Sequence, residues 1–569
     1  MAYMAKPIGG QTHSFQTYPT TQISRSRFNR SHSRYTTMQT DYLYPIWFDE
    51  ALPGDTLEVS LSAFCRLTTQ LVPFMDNVYM DIHFWKVPYR LIWEHWINFQ
   101  GEEETPGVFP DYLTPVLKAP SDGVAFGSIF DYFRVPPKVG NLEFNAFNFR
   151  AYNLVYNEWY RDENLIDRVE VEKGDTTEGE INNYKLLKRG KRKDYFTSAL
   201  PWPQKGPAVD IPLGTTAPVE IKPSSISGGY DALLFGNGKS SWAFAAGSNN
   251  TSGQANTNAL YAASIADLGW HPGTNVPVSP APYSFIGDNL NRSFRYMGGL
   301  TGVADLSNAT AATINTLRQA FALQHMYEID ARGGTRYIEM ILAHFGVQSP
   351  DARLQRPEFL GGGTFDLHLN VVPQTSSSDN SSPQGNLASY GVINGHTRKI
   401  VTSFTEHCLV FALASVRSDL TYQQGLPRQY SRRSRTDFYL PSLANLGEQA
   451  ILNKEIFAQG TSADDGVFGY QERWAEYRYK QNEITGFMRS DAVNSKGDNV
   501  SLDYWHLAQD FSNLPKLNEE FINEAVPINR VLALDSSEAN PPFICNFWFD
   551  EYWTRPMPVY SIPSMKGHF

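Results

Sequence analysis

This 569-residue sequence predicts a mainly β fold: an antiparallel sandwich interrupted by large loop and helical insertions. Three observations point there. Gly (42) and Pro (35) are frequent, and charged residues make up 19%, below the ~25% of ordinary soluble domains. Aromatics reach 14%, which suits large contact surfaces rather than a coiled coil or helical solenoid. Runs with period-two alternation occur near both ends of the chain. The 41% apolar content is enough for a substantial core and excludes intrinsic disorder.

Strand signals begin after Pro53-Gly54-Asp55. Leu57, Val59, Leu61 and Ala63 alternate with Glu58, Ser60 and Ser62, the pattern of a half-buried strand. A second run sets Val78, Met80, Ile82 and Phe84 on one face and Tyr79, Asp81, His83 and Trp85 on the other, with Pro88 as its stop. Further strands are expected at Phe365–Val371, Cys408–Val416 and Phe543–Phe549. A sheet must pair its edges, so the first and last runs belong to one sandwich. Eight strands of ordinary length need only about 150–200 residues with their loops, so most of this chain is elaborated connection.

Helical spacing appears inside those connections. Phe149, Tyr152, Tyr156 and Trp159 recur at 3-4-3 intervals, and Ile314, Leu317 and Phe321 continue the same logic at 3-4. Gly333-Gly334 interrupts the pattern before Ile338, Ile341 and Phe345 resume it. These stripes are expected to pack on the sheet or on a neighbour. Residues 223–287 differ: only Asp231, Lys239 and Asp267 are charged, while Tyr230, Trp242, Phe244, Tyr261 and Trp270 punctuate a Gly/Ser/Asn/Ala/Pro background. That stretch reads as an ordered, outward-projecting insertion of the kind that carries recognition. The loop PQTSSSDNSSPQG at 373–385 reads as a mobile tip.

The net charge of −11 hides an asymmetry. Residues 1–40 contain Lys6, Arg25, Arg27, Arg30 and Arg34 and no acidic residue, so they carry +5. Phe15, Tyr18, Phe28 and Tyr35 are interleaved with these cations. Backbone neutralisation plus base stacking is a sequence-tolerant way to hold single strands, so the five cations are candidate DNA contacts on an extended arm. An arm that merely threads between subunits is the competing reading. Two further basic clusters, KLLKRGKRK at 185–193 and RQYSRRSR at 428–435, face either nucleic acid or a neighbouring copy.

Cys65, Cys408 and Cys545 are far apart, so neither a disulfide framework nor a CxxC metal knuckle is expected. There is no N-terminal apolar h-region and no run approaching the ~20 residues of a membrane span. No catalytic arrangement survives scrutiny. GNGKSS at 236–241 ends like a phosphate-binding loop, but Leu233 stands where that pattern requires Gly. His325 and Glu328 share a helix face without a third metal ligand. The carboxylate pairs Asp162-Glu163, Asp464-Asp465 and Asp550-Glu551 are adjacent, and adjacent strand residues point to opposite faces, which makes poor acid/base couples. No cofactor and no metal are expected.

Several long segments resemble the major capsid proteins of the Microviridae, and most closely the gokushovirus branch of these single-stranded DNA bacteriophages. They are FNRSHSRYTT (28–37), FWKVPYRLIW (84–93), FRAYNLVYNEWYRDENL (149–165), DARGGTRYIEMILAHFGVQSPDARLQRPEFLGG (330–362), VRSDLTYQQGLPRQYSRRSRTDFYLP (416–441) and FGYQERWAEYRYK (468–480). The resemblance implies an eight-stranded viral jelly roll with very large insertions, sixty copies in a T=1 icosahedral shell, and a circular single-stranded DNA genome beneath it. It implies as partners other copies of the chain, single-stranded DNA, internal scaffolding, DNA-pilot and small DNA-binding viral proteins, and a bacterial surface receptor. It places the protein in the virion, assembled in the host cytoplasm without membrane insertion. It also implies an insertion that forms protrusions at the threefold axes.

The domain plan is then a basic interior arm at 1–40, a first part of the jelly roll at 41–222, the insertion at 223–287 as threefold protrusion and host contact, and the remainder at 288–569. Two other classes fit the sequence less well: a stand-alone jelly-roll carbohydrate-binding protein, which has no use for a basic arm, and a glycan-cleaving enzyme, which lacks convergent carboxylates.

Overall fold

The computed structural model describes residues 24–207 except 104, 106–110 and 178, residues 314–560 except 380–382, 535 and 537–539, residue 209, and the backbone of five short strands between 219 and 304. Ten strands form one antiparallel sheet. In chain order they are β1 (Ser26–Asn29), β2 (His32–Met38), β3 (Tyr44–Ala51), β4 (Thr56–Leu67), β5 (Val78–Pro88), β6 (Glu358–Pro373), β7 (Leu387–His396), β8 (Ile400–Ser403), β9 (Cys408–Ser418) and β10 (Phe543–Arg555). Eight of them run seven residues or more, matching the expected strand number, and β1 and β8 are four-residue additions.

The order across the sheet is β1–β10–β4–β7–β6–β5–β9–β3, with β2 also on β10 and β8 also on β4. The long β6 joins two halves. Its first part pairs with β5, from Glu358 opposite Lys86, and its last part pairs with β7, from Leu367 opposite Ile393. A bulge between Phe359 and Gly361 lets it turn from one half to the other. The ladder is therefore continuous, and the sheet curls into a jelly-roll half-barrel rather than splitting into two separate ladders.

Inside the curl, Leu57, Val59, Leu61 and Ala63 of β4 meet Phe543, Phe547 and Phe549 of β10, Met80, Ile82 and Phe84 of β5, and Val410 and Ala412 of β9. The two halves differ in what covers their backs. Behind β5 and β9, Trp85, Val87, Leu409, Phe411 and Leu413 pack against Phe130, Phe133, Phe147, Phe149 and Tyr152 of the connection. Both faces of β9 are thus covered, which is why its sequence is a continuous apolar run. β4 and β10 alternate buried core-facing positions with more exposed ones, Ser60 apart, because no connection in the described chain packs across their backs.

The connections between β5 and β6 and between β9 and β10 hold most of the chain. Helix α1 (Phe147–Val155) carries the start of the first aromatic stripe, which continues into the helical turn Tyr156–Tyr160, and Phe149, Tyr152 and Tyr156 are buried as expected. The Tyr152 hydroxyl donates to Leu43 O (2.9 Å) and accepts from Leu187 N (3.0 Å), tying the helix to the sheet. Helices α2 (Ile314–Gly333) and α3 (Tyr337–Phe345) flank Gly334, whose φ of +90° permits the break between them. α3 leaves Tyr337, Leu342 and Phe345 exposed.

The segment expected as an extended arm is extended, but from Ser26 onward it is paired: β1 and β2 lie antiparallel along β10. The chain divides into two compact units, Met1–Pro207 with Met326–Phe569, and Ala208–His325. The second unit contains the 223–287 stretch. Within it, Ala232–Gly236, Ser241–Ala245 and Tyr261–Ser264 form a three-stranded antiparallel sheet, and Val219–Lys222 pairs with Thr301–Ala304.

Candidate nucleic-acid interface

Pairing of β1 and β2 with β10 sorts the arm cations onto two sides of the sheet. Arg27 stands opposite Thr554 and Tyr35 opposite Asn546, both in the outward register of β10. Arg25 Nη2 donates to Thr56 Oγ1 (2.6 Å) and Thr554 O (3.2 Å). Arg27 Nη2 donates to Glu58 Oε2 (3.0 Å), and its guanidinium lies 4.2 Å from the Tyr552 ring centre. These are solvent-facing, screened contacts, and Arg27 remains half exposed.

Arg30 and Arg34 turn the other way. Arg30 pairs with Asp49 of β3, and Arg34 donates to Tyr132 O and lies 6.0 Å from the Phe48 ring centre. Burial, with Arg134 nearby, pushes Arg34 down to about 10. Both residues close the seam between the free edges of the curled sheet, β2 and β3, which flank a cleft of about 1260 Å³. The Tyr132 hydroxyl donates to Thr37 O (2.8 Å) and Gln39 N donates to Tyr44 Oη (3.1 Å) across the same seam. Arg25 and Arg27 are therefore brought together on one surface, and Arg30 and Arg34 are not part of it. Lys6 lies outside the described residues.

Beneath the seam sits a buried carboxylate that adjacency alone did not reveal. Glu551 accepts from Trp47 Nε1 (3.0 Å) and Trp553 Nε1, with His32 Nδ1 at 3.5 Å and Arg30 Nη1 at 3.9 Å. Burial raises its pKa. Its neighbour Asp550 faces the opposite way and accepts from Ser31 Oγ (3.2 Å), as strand alternation demands.

The other basic clusters are largely engaged within the subunit. Arg189 donates to Asp81 Oδ2 (2.7 Å) and Ser415 Oγ (2.6 Å), Arg192 pairs with Asp419 (2.9 Å), and Lys193 pairs with Asp162 (2.6 Å). Burial works to raise the Asp81 pKa, but Arg189 and Arg417 override it and hold the carboxyl at about 2. In the second cluster Arg428 reaches Glu455 Oε1 (2.6 Å) and Arg432 reaches Glu476 Oε1 (3.0 Å), which leaves Arg433 and Arg435 exposed. Neither cluster is a continuous cationic surface.

In the insertion, Tyr230 and Trp270 lie outside the described residues. Trp242 and Phe244 occupy the middle strand of the small sheet, opposite Ser264 and Ala262, and Tyr261 pairs with Ala245. Among the described residues no group of three or more His, Cys, Asp or Glu is placed to hold a metal ion, and no helix is long and apolar enough to cross a membrane.

Sequence reasoning missed one set of residues on the Arg27 surface. Phe64 and Trp548 fall in the polar register of their strands, between Ser62 and Arg66 and between Asn546 and Asp550, and both are exposed. An aromatic residue in the polar register was the available signal.

A family model described as "Capsid protein (F protein)" matches residues 16–565. The chain is 46% identical over 559 residues to capsid protein VP1 of Bdellovibrio phage phiMH2K, covering 98% of each chain. It is 41% identical over 595 residues to capsid protein VP1 of Chlamydia phage 1, covering 97% of each, and 35% identical over 577 residues to capsid protein VP1 of Spiroplasma virus 4, covering 98% of each.

Proposed function

The chain belongs to the capsid protein (F protein) family, and from that premise we propose that sixty copies close into a T=1 icosahedral shell around a circular single-stranded DNA genome. It is a structural protein of the virion and not an enzyme, in keeping with the shared name of its near-full-length relatives. The observation that carries the genome-enclosing part is the acid-free, +5 segment at 1–40, whose Arg25 and Arg27 lie on an open sheet surface. Repeated in every subunit, the outward-facing Arg25 and Arg27 of that segment supply positive charge to a polyanion, with binding that weakens as salt rises. The acidic remainder keeps assembled particles soluble and mutually repelling.

In this reading the 223–287 insertion meets its symmetry mates at the threefold axis and contacts the bacterial host, with Tyr230, Trp242, Phe244, Tyr261 and Trp270 buried where three copies converge. Scaffolding, DNA-pilot and small DNA-binding viral proteins assist assembly and packaging. Light scattering and electron microscopy of the purified protein, with nucleic acid quantified by absorbance, test the proposal. Megadalton shells containing nuclease-protected DNA support it, and a discrete monomer or trimer overturns it.

A further inference from the structure

The back of the β2–β10–β4 half of the sheet is covered by nothing in the described chain, and its side chains form a pattern. Tyr35 (75% exposed), Trp548 (48%) and Phe64 (41%) all project from it, with Ile544 (58%) alongside. The registers place them in a regular array. Asn546 stands between Tyr35 and Phe64 in one cross-strand row. Ser33 and Ser62 flank Trp548 in the next. Each ring is thus separated from the next by a small or amide side chain. Trp548 is the diagonal neighbour of both Tyr35 and Phe64, a separation of about 7–8 Å on a sheet face.

The charge on this face is complementary to a polyanion. Arg25, Arg27, Arg66 and Lys399 reach it against Glu58 and Asp550. Glu58 is itself flanked by Arg27 and Lys399, and the Arg66 guanidinium lies 5.4 Å from the Phe64 ring centre. The cations stand beside the rings, where a backbone would run past stacked bases.

We infer that the outward face of β2–β10–β4 is a base-stacking platform for single-stranded nucleic acid, with Tyr35, Trp548 and Phe64 as stacking rings and Arg27 and Arg66 as phosphate contacts. The inference rests on the genome-enclosing reading and gives it a site. Recognition here is sequence-tolerant, because every base offers a π-face and no base-edge donor or acceptor is needed.

The test is fluorescence anisotropy of a labelled oligothymidylate with the full-length chain across a salt series. Tyr35→Ala, Phe64→Ala and Trp548→Ala are each expected to weaken binding roughly 5- to 150-fold at fixed salt, the span of one base–ring stack, with the salt slope unchanged. Trp548→Phe keeps a ring and is expected to retain most of the affinity, which separates lost stacking from lost fold. Arg66→Gln is expected to reduce the slope of log affinity against log salt by about 0.7. Alanine variants that bind like the unmodified chain, or that lose subunit association while keeping oligonucleotide affinity, overturn the platform and assign the face to contacts between copies. Binding that depends only on Arg25 and Arg27 removes the platform and leaves the genome-enclosing reading standing. An unmodified chain that does not bind at low salt removes both.

Discussion

Replacing Glu180 with Ala isolates the most deeply buried ion pair of the insertion that backs the sheet. Arg150, on α1, is fully buried, and its Nε and Nη2 donate to Glu180 Oε1 (2.8 Å) and Oε2 (2.9 Å). Its Nη1 donates to Gly174 O (2.9 Å), and Tyr184 donates its hydroxyl to the same carboxylate. Burial alone works to lower the Arg150 pKa, but the Glu180 carboxylate more than offsets it. Removing that carboxylate strands a guanidinium in a dry site with one strong acceptor left, a change that costs about 3–5 kcal/mol. The orphaned Tyr184 hydroxyl adds roughly 1 kcal/mol. Replacing both partners, Arg150→Met with Glu180→Leu, removes the charge along with its partner and is expected to cost far less than the single change. Urea unfolding of the purified subunit, followed by tryptophan fluorescence, measures both. A loss below about 1 kcal/mol for Glu180→Ala, or a double variant as unstable as the single one, would refute the reasoning.

Four other outcomes are expected. Arg25→Gln with Arg27→Gln lowers the DNA content of particles while changing subunit stability by less than about 1 kcal/mol, because both pairs are exposed. Arg30→Gln with Arg34→Gln instead loosens the β2–β3 seam and lowers shell yield, and absorbance ratios with particle counts separate the two cases. Deletion of 223–287 leaves closed shells by electron microscopy and abolishes infection in a plaque assay, whereas loss of shells would make the insertion an assembly element. Glu524 is fully buried, and neither carboxylate oxygen has a hydrogen-bond partner among the described residues. Burial, with Asp41 nearby, pushes its pKa up to about 8. A folded-state pKa above the unfolded one means that stability is fully present below about pH 4.5 and lost as pH rises towards 8. Glu524→Gln is therefore expected to flatten that decline by about 1 kcal/mol or more in urea titrations between pH 5 and 8.

β4 and β10 were legible because one face of each meets the core and the other is open. Leu57 to Ala63 and Phe543 to Phe549 announced both their conformation and their inner face. β3 went unread because Tyr44 to Trp47 are buried on both faces, which erases the alternation and leaves Pro45 as a misleading stop. The pairing of β1 and β2 with β10 was illegible for another reason. Its partners are about five hundred residues away, and Arg34 and His32 point at a seam rather than into a core, so no apolar period marks the strands. The 185–193 cluster read as a cationic surface because its acidic partners, Asp81, Asp162 and Asp419, are remote in sequence. Among the DNA-contact residues, charge identified the candidates, but only register sorted Arg25 and Arg27 from Arg30 and Arg34. The aromatic residues beside them could be found from sequence, since Phe64 and Trp548 break the polar register of otherwise regular strands.

Electron cryomicroscopy of nuclease-treated particles assembled from the full chain addresses the central claim most directly. The account predicts closed sixty-subunit shells in which the β2–β10–β4 face, with Arg25 and Arg27, borders internal nucleic-acid density. Shells with that face on the exterior, or a small discrete oligomer that protects no DNA, would contradict it.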